Sequence, residues 1–160
     1  MTITNQKLAL VFLLLAMIIT PDTFVSAAQS RHAPTLGVIQ DDSEYDGCGC
    51  SLFRNRRDAR EHRPIFLSDF SGEARINLDG RDVRVRLIGA SPERRRAERK
   101  GDRSWEVYGK DSFRMRIDYV VNGVCPSNDE ACEVTSYEVV ITLIHNGRTT
   151  TMPAFGLCGC

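Results

Sequence analysis

From Ile65 onward, apolar residues recur at every second position, and this period-two pattern limits the fold more than any other feature of the chain. Side chains alternate between the two faces of a strand, so such runs describe strands with one buried face. "IFLSDF" opens the series. Ala74, Ile76 and Leu78 alternate with charged or polar neighbours, and Val83, Val85 and Leu87 alternate with Arg84 and Arg86. Asp79-Gly80 separates these two runs and tolerates the positive φ of a tight hairpin turn. "SWEVYG" follows, and then Phe113, Met115, Ile117, Tyr119 and Val121 share a face against Arg114, Arg116 and Asp118. In "EVTSYEVVITLIH", Tyr137, Val139, Ile141 and Leu143 form one apolar face and Val140 and Ile144 a second. Two apolar faces suggest a central strand. Asn146-Gly147 is another hairpin signal, returning the chain through "RTTTM" to Pro153 and "AFGLCGC".

About six to eight short strands and no long helix predict an all-β domain, an antiparallel β-barrel or β-sandwich. Two stretches interrupt the pattern. "SLFRNRRDAREHRP" (51–64) suits either a short helix ended by Pro64 or a loop, and the loop is preferred. In residues 90–104, Ser91 suits the cap of a short surface helix beginning at Pro92-Glu93 and ending at Gly101; a long charged hairpin loop fits equally.

Six cysteines are the candidate staples: Cys48, Cys50, Cys125, Cys132, Cys158 and Cys160. Cys125 and Cys132 bracket a polar loop between strands and are expected to form a disulfide. The other four form two Cys-Gly-Cys triplets. Within a strand, residues i and i+2 face the same way, so two triplets aligned antiparallel bring all four sulfurs together. Cys48–Cys160 and Cys50–Cys158 bridges then follow, since facing Cα atoms lie about 4.5–5.5 Å apart. The alternative is a Cys₄ site for zinc or cuprous copper built from Cys48, Cys50, Cys158 and Cys160. One intervening residue, in place of the usual two to four, weakens that reading. A redox dithiol is weaker still, because neither triplet precedes a helix. Structural disulfides are preferred and no cofactor is expected.

The compartment agrees with this. Lys7 precedes the apolar run Leu8–Ile19, Pro21 follows, and Ser26 and Ala28 sit where a signal peptidase reads small residues. Residues 1–28 therefore read as a secretory signal, with a run too short to cross a bilayer. Export to a periplasmic or extracellular space favours disulfides. Residues 29–47, with Asp41, Asp42, Glu44 and Asp46, read as a flexible acidic lead-in, and 48–160 as a single β domain.

Lys and Arg number 21 against 21 Asp and Glu. That balance argues against a general nucleic-acid binder and against an anionic-membrane binder. No nucleophile elbow, P-loop, HExxH, EF-hand loop or dinucleotide fingerprint occurs, so no enzyme is expected. The histidines His32, His62 and His145 are scattered, and Asp69, Asp79 and Asp118 have no evident pairing in sequence. Trp105 and Tyr108 suit the core better than a binding platform. Arg75, Arg84, Arg86, Arg114 and Arg116 point away from the apolar faces and form a candidate anion-binding face, although interspersed acids make an ordinary solvated face the stronger reading. The build is similar to that of small periplasmic inhibitors of hydrolases, in architecture only. The expectation is a non-catalytic binding or inhibitory module with an envelope or extracellular protein as partner; the alternative is a metal-binding protein.

Overall fold

The computed structural model describes residues 32–43, 45, 47–95, 99–126 and 132–160. Residues 1–28, read above as a secretory signal, residues 29–31, Glu44 and Asp46 of the lead-in, residues 96–98, and residues 127–131 of the Cys125–Cys132 loop lie outside the described residues. No helix among the described residues is long and apolar enough to cross a membrane.

A two-residue strand β1 (Leu36–Gly37) precedes the main series. β2 (Gly49–Phe53), β3 (Phe66–Asp69), β4 (Glu73–Leu78) and β5 (Arg81–Ala90) follow, then β6 (Arg103–Lys110), β7 (Phe113–Gly123), β8 (Val134–His145) and β9 (Arg148–Gly159). From β2 onward each strand pairs antiparallel with the next, and β9 returns to pair with β2. The result is a closed, eight-stranded, up-and-down barrel. Closure removes sheet edges, so β8 is no more central than its neighbours. Its second apolar face accordingly meets solvent: Val140 is 45 % and Ile144 43 % exposed.

The hairpin turns carry the dihedrals their residues favour. Asp79 and Gly80 have φ of 50° and 84°, and Asn146 and Gly147 have φ of 50° and 74°. β9 runs straight through Pro153, which pairs with Val140. The segment read as loop over 51–64 contains part of β2 and a short helix α1 (Arg56–Arg60). The Asn55 side chain caps α1, accepting from the amides of Arg57 at 2.9 Å and Asp58 at 3.0 Å. In the β5–β6 connection, Pro92–Arg95 form a single 3₁₀ turn, and Gly101 has a φ of 93°.

Where composition suggested a flexible lead-in, residues 35–41 are docked alongside β4 and the β4–β5 hairpin. β1 pairs with Asn77 and Leu78, extending the sheet past the end of β3. Leu36 and Ile39 are buried. Asp79 accepts from the Thr35 amide and hydroxyl, and Asp82 accepts from the amides of Gln40 and Asp41. The acids that answer this segment lie in a later hairpin, so local composition could not reveal the docking.

Inside the barrel, Leu52, Phe66, Ile76, Val85, Met115, Ile117, Ile141 and Leu143 are 0–1 % exposed and fill most of its length. Gly156 faces the same interior. A Cβ there would lie 2.9 Å from Leu52 Cδ2 and 3.2 Å from Val139 Cγ2, so only glycine fits without repacking. The two ends of the barrel differ. One is closed by the tight turns and the α1 connection. The other carries the β5–β6 and β7–β8 connections, together with the β3–β4 turn and the paired cysteines.

Candidate functional site: the disulfide-closed barrel mouth

The triplets meet where the barrel closes. Gly49 and Gly159 are register partners, and so are Cys50 and Cys158. Cys50–Cys158 and Cys48–Cys160 are disulfides, with Cα atoms 4.1 and 4.0 Å apart. The inner bridge faces the interior, Cys50 being 4 % and Cys158 8 % exposed, whereas Cys48 and Cys160 are exposed. Cys125 and Cys132 form the third disulfide at the base of the β7–β8 loop. All six sulfurs are paired, which leaves no thiolate for the Cys₄ arrangement considered as the alternative. Among the described residues, no group of three or more His, Cys, Asp or Glu side chains is placed to hold a metal ion.

Toward this end the inward positions become small: Cys50, Ser68, Ala74, Ala90, Thr135 and Cys158 replace the bulky residues of the lower layers. An eight-stranded barrel has an interior just wide enough to be filled by side chains or to hold one small ligand. Shrinking the side chains at one end leaves room there. The outcome is a cavity of about 600 Å³, lined on one side by the Cys50–Cys158 bridge, Ser68 and Thr135. Leu87, Ala90, Glu106, Tyr108 and Tyr137 form the rest of the wall, and Asp69, Phe70, Ser91 and Glu133 stand at the rim.

Glu106 is 9 % exposed and faces this cavity from β6. The hydroxyls of Tyr119 and Tyr108 donate to its Oε2 at 2.7 and 3.3 Å. Both rings are held edge-on by other aromatics: Tyr119 against Tyr137 with centroids 5.5 Å apart, and Tyr108 against Phe66 at 5.1 Å. At the rim, the Asp69 carboxylate accepts from the Ser71 hydroxyl at 2.7 Å and its amide at 3.0 Å. The Ser71 hydroxyl is the main reason the Asp69 pKa falls below the ordinary value, so this rim charge persists into more acidic solution. Phe70, at the tip of the same turn, is 67 % exposed.

The arginines read as a candidate anion face are distributed differently. Arg75 is 8 % exposed beneath the docked segment, donating to the Asp41 carbonyl and pairing with its carboxylate at 3.3 Å. Arg86 pairs with Glu73 at 3.1 Å. Arg116 grips Asp118 and lies over the Trp105 ring, 4.8 Å from its centroid. Arg114 donates to the carbonyls of Asp111 and Phe113. Arg84 stands opposite Arg75 in register and is exposed. Arg84, Arg86, Arg114 and Arg116 share the outer face of β5 and β7, with Glu73 and Asp118 as counter-charges. Asp69, Asp79 and Asp118 lie apart, engaged with Ser71, Thr35 and Arg116 respectively. His145 stacks edge-on with Phe113 at the far end of the barrel.

Glu106 escaped the sequence reading. Its strand offers two apolar phases, Trp105 and Val107 against Tyr108, and "SWEVYG" alone does not say which faces inward. The pairing of Glu106 with Ile117 and of Tyr108 with Met115 settles the phase: Ser104, Glu106 and Tyr108 face inward, while Trp105 is sheltered outside by Arg116. Comparison with protein families, curated proteins and solved structures returns no match.

Proposed function

We propose that this chain is an exported, non-catalytic binding module that takes a small ligand into the mouth of its barrel. The single observation carrying this reading is the cavity of about 600 Å³ at the clasped end, inside the range of about 300–1,000 Å³ usual for small-molecule sites. Its mixture of aromatic and aliphatic wall with a few convergent polar groups is also that of a ligand pocket. The three disulfides suit an oxidising compartment, which supports the signal-peptide reading of residues 1–28. An inhibitory form of the same reading draws on Phe70, whose exposed ring at the rim would anchor an envelope or extracellular protein partner.

Titration with the neutral fluorescent probe N-phenyl-1-naphthylamine tests the cavity. The folded protein is expected to bind it saturably at one site. Ala90→Trp, which places an indole among the lining residues, should weaken binding by about tenfold or more, worth about 1.4 kcal/mol. Equal binding by the filled variant, or none by the native protein, contradicts the reading. The variant leaves Phe70 on the rim, so it separates uptake of small molecules from docking of a protein.

A further inference from the structure

We propose that the mouth selects an organic cation, an amine or quaternary ammonium on an apolar or aromatic body; this inference rests on the binding reading above. Among the described residues, three carboxylates, Asp69, Glu106 and Glu133, line the cavity, and no lysine, arginine or histidine does. Clefts lined by one sign of charge and low-dielectric walls concentrate ligands of the opposite sign. The carboxylates are also staged by depth. Asp69 and Glu133 stand at the entrance, and Glu106 is at least nine-tenths buried in the wall. Asp69 is held in its charged form by Ser71 and so remains an anionic lure as the solution is acidified.

The walls fit the rest of such a ligand. Tyr108 and Tyr137 present ring surface to the cavity, and Leu87 and the Cys50–Cys158 bridge add apolar surface. Aromatic faces attract ammonium groups, and the attraction grows when the pair is shielded from water. Glu106 is positioned by two tyrosine hydroxyls that reach the same oxygen, Oε2, which orients the carboxylate toward one wall. A second feature lies beside the mouth rather than in its wall. Ser104, 6 % exposed, faces the interior two residues before Glu106 on β6, and its hydroxyl has no hydrogen-bond partner among the described residues. It lines a separate cavity of about 150 Å³, with Arg103, Asp118 and Glu93 also in the wall, that shares Ser91 with the main one. Buried hydroxyls are nearly always satisfied, so a water belongs there, at the edge of the mouth.

The test uses three probes on one skeleton: 4-phenylbutylamine, 4-phenylbutanol and 4-phenylbutyrate, titrated calorimetrically into the disulfide-intact protein at neutral pH and fixed ionic strength. The amine is expected to bind about ten- to hundredfold more tightly than the alcohol, the size of one charge-assisted hydrogen bond, with the carboxylate weakest. Glu106→Gln keeps the shape and an acceptor for the tyrosines; it should reduce the amine's advantage over the alcohol to about twofold or less while leaving alcohol binding in place. Equal binding of amine and alcohol overturns the cation inference and leaves the binding module standing. Failure of all three probes and of the neutral dye removes the binding module itself. An amine preference untouched in a folded Glu106→Gln variant would refute the role of Glu106. The native-protein comparison needs no variant, so the selectivity is tested even if Glu106→Gln fails to fold.

Discussion

Replacing Cys48, Cys50, Cys158 and Cys160 together by alanine is expected to lower the unfolding free energy by about 4–6 kcal/mol, whereas removing only the outer pair costs about 1–2 kcal/mol. The reason is geometric redundancy. The two bridges span sequence separations of 112 and 108, so either one closes nearly the same long loop. Loop-closure entropy assigns about 4.7 kcal/mol to the first cross-link of that size, and the second then closes only a ring of a few residues. Removing the inner pair alone should cost about 1–2 kcal/mol on the same ground, with a further loss because Cys50 and Cys158 are buried among packed side chains. The effects are therefore strongly non-additive, and a double-mutant cycle on the two bridges by chemical denaturation reads the coupling directly. Since domains of this size have total stabilities of about 5–15 kcal/mol, the four-fold variant should sit near the edge of folding. A full loss from the outer pair alone would show that the inner bridge does not close the barrel.

The glycines inside the triplets carry the second large expectation. Gly49→Ala and Gly159→Ala should each destabilise the protein by about 1–3 kcal/mol or more, although alanine is among the mildest of substitutions. A Cβ at Gly49 would lie 2.0 Å from the Ser68 carbonyl oxygen, and one at Gly159 would lie 2.0 Å from that of Glu133. Both obstacles are backbone atoms of neighbouring segments, so no rotamer change relieves them. Adjacent disulfides pin each glycine from both sides, which also prevents the strand from sliding away. Gly89→Ala is the control, because its new methyl group meets only the Trp105 ring at 3.6 Å, an ordinary contact. Thermal melts of the three variants should show two large drops and one small one. Comparable melting of all three would mean that the triplet glycines have no steric role. The Cys-Gly-Cys motif thus has a physical basis: alternation turns the two sulfurs of a triplet to one side of the strand, and crowding at the seam forbids any side chain between them.

Much of the architecture was legible because its signals are local. Asp79-Gly80 and Asn146-Gly147 announce hairpins through the φ values they tolerate, and the alternating runs around them give strand phase. Closure was not legible. Period-two alternation fits a sandwich as well as a barrel, and the deciding contact joins β2 to β9 across almost the whole domain. The docked segment failed to announce itself for the same reason: Thr35, Gln40 and Asp41 are held by Asp79, Asp82 and Arg75, which are 34 to 44 residues away. The mouth was hidden because its key side chain, Glu106, occupies an inward position in a strand whose two phases both look apolar. A taper from Leu, Ile and Met to Ser, Thr and Cys along the inward positions was present in the sequence, but it acquires meaning only when register stacks those residues at one end.

The central claim is that the two triplets meet as disulfides at the seam of the barrel and frame its mouth. Non-reducing digestion of the unreduced, alkylated protein, with fragmentation that resolves which sulfur joins which, tests it most directly. The predicted result is that none of the six cysteines is alkylated and that Cys48 is joined to Cys160, Cys50 to Cys158 and Cys125 to Cys132. Alkylated thiols in either triplet, or bridges joining Cys48 to Cys50 or Cys158 to Cys160, would contradict the account.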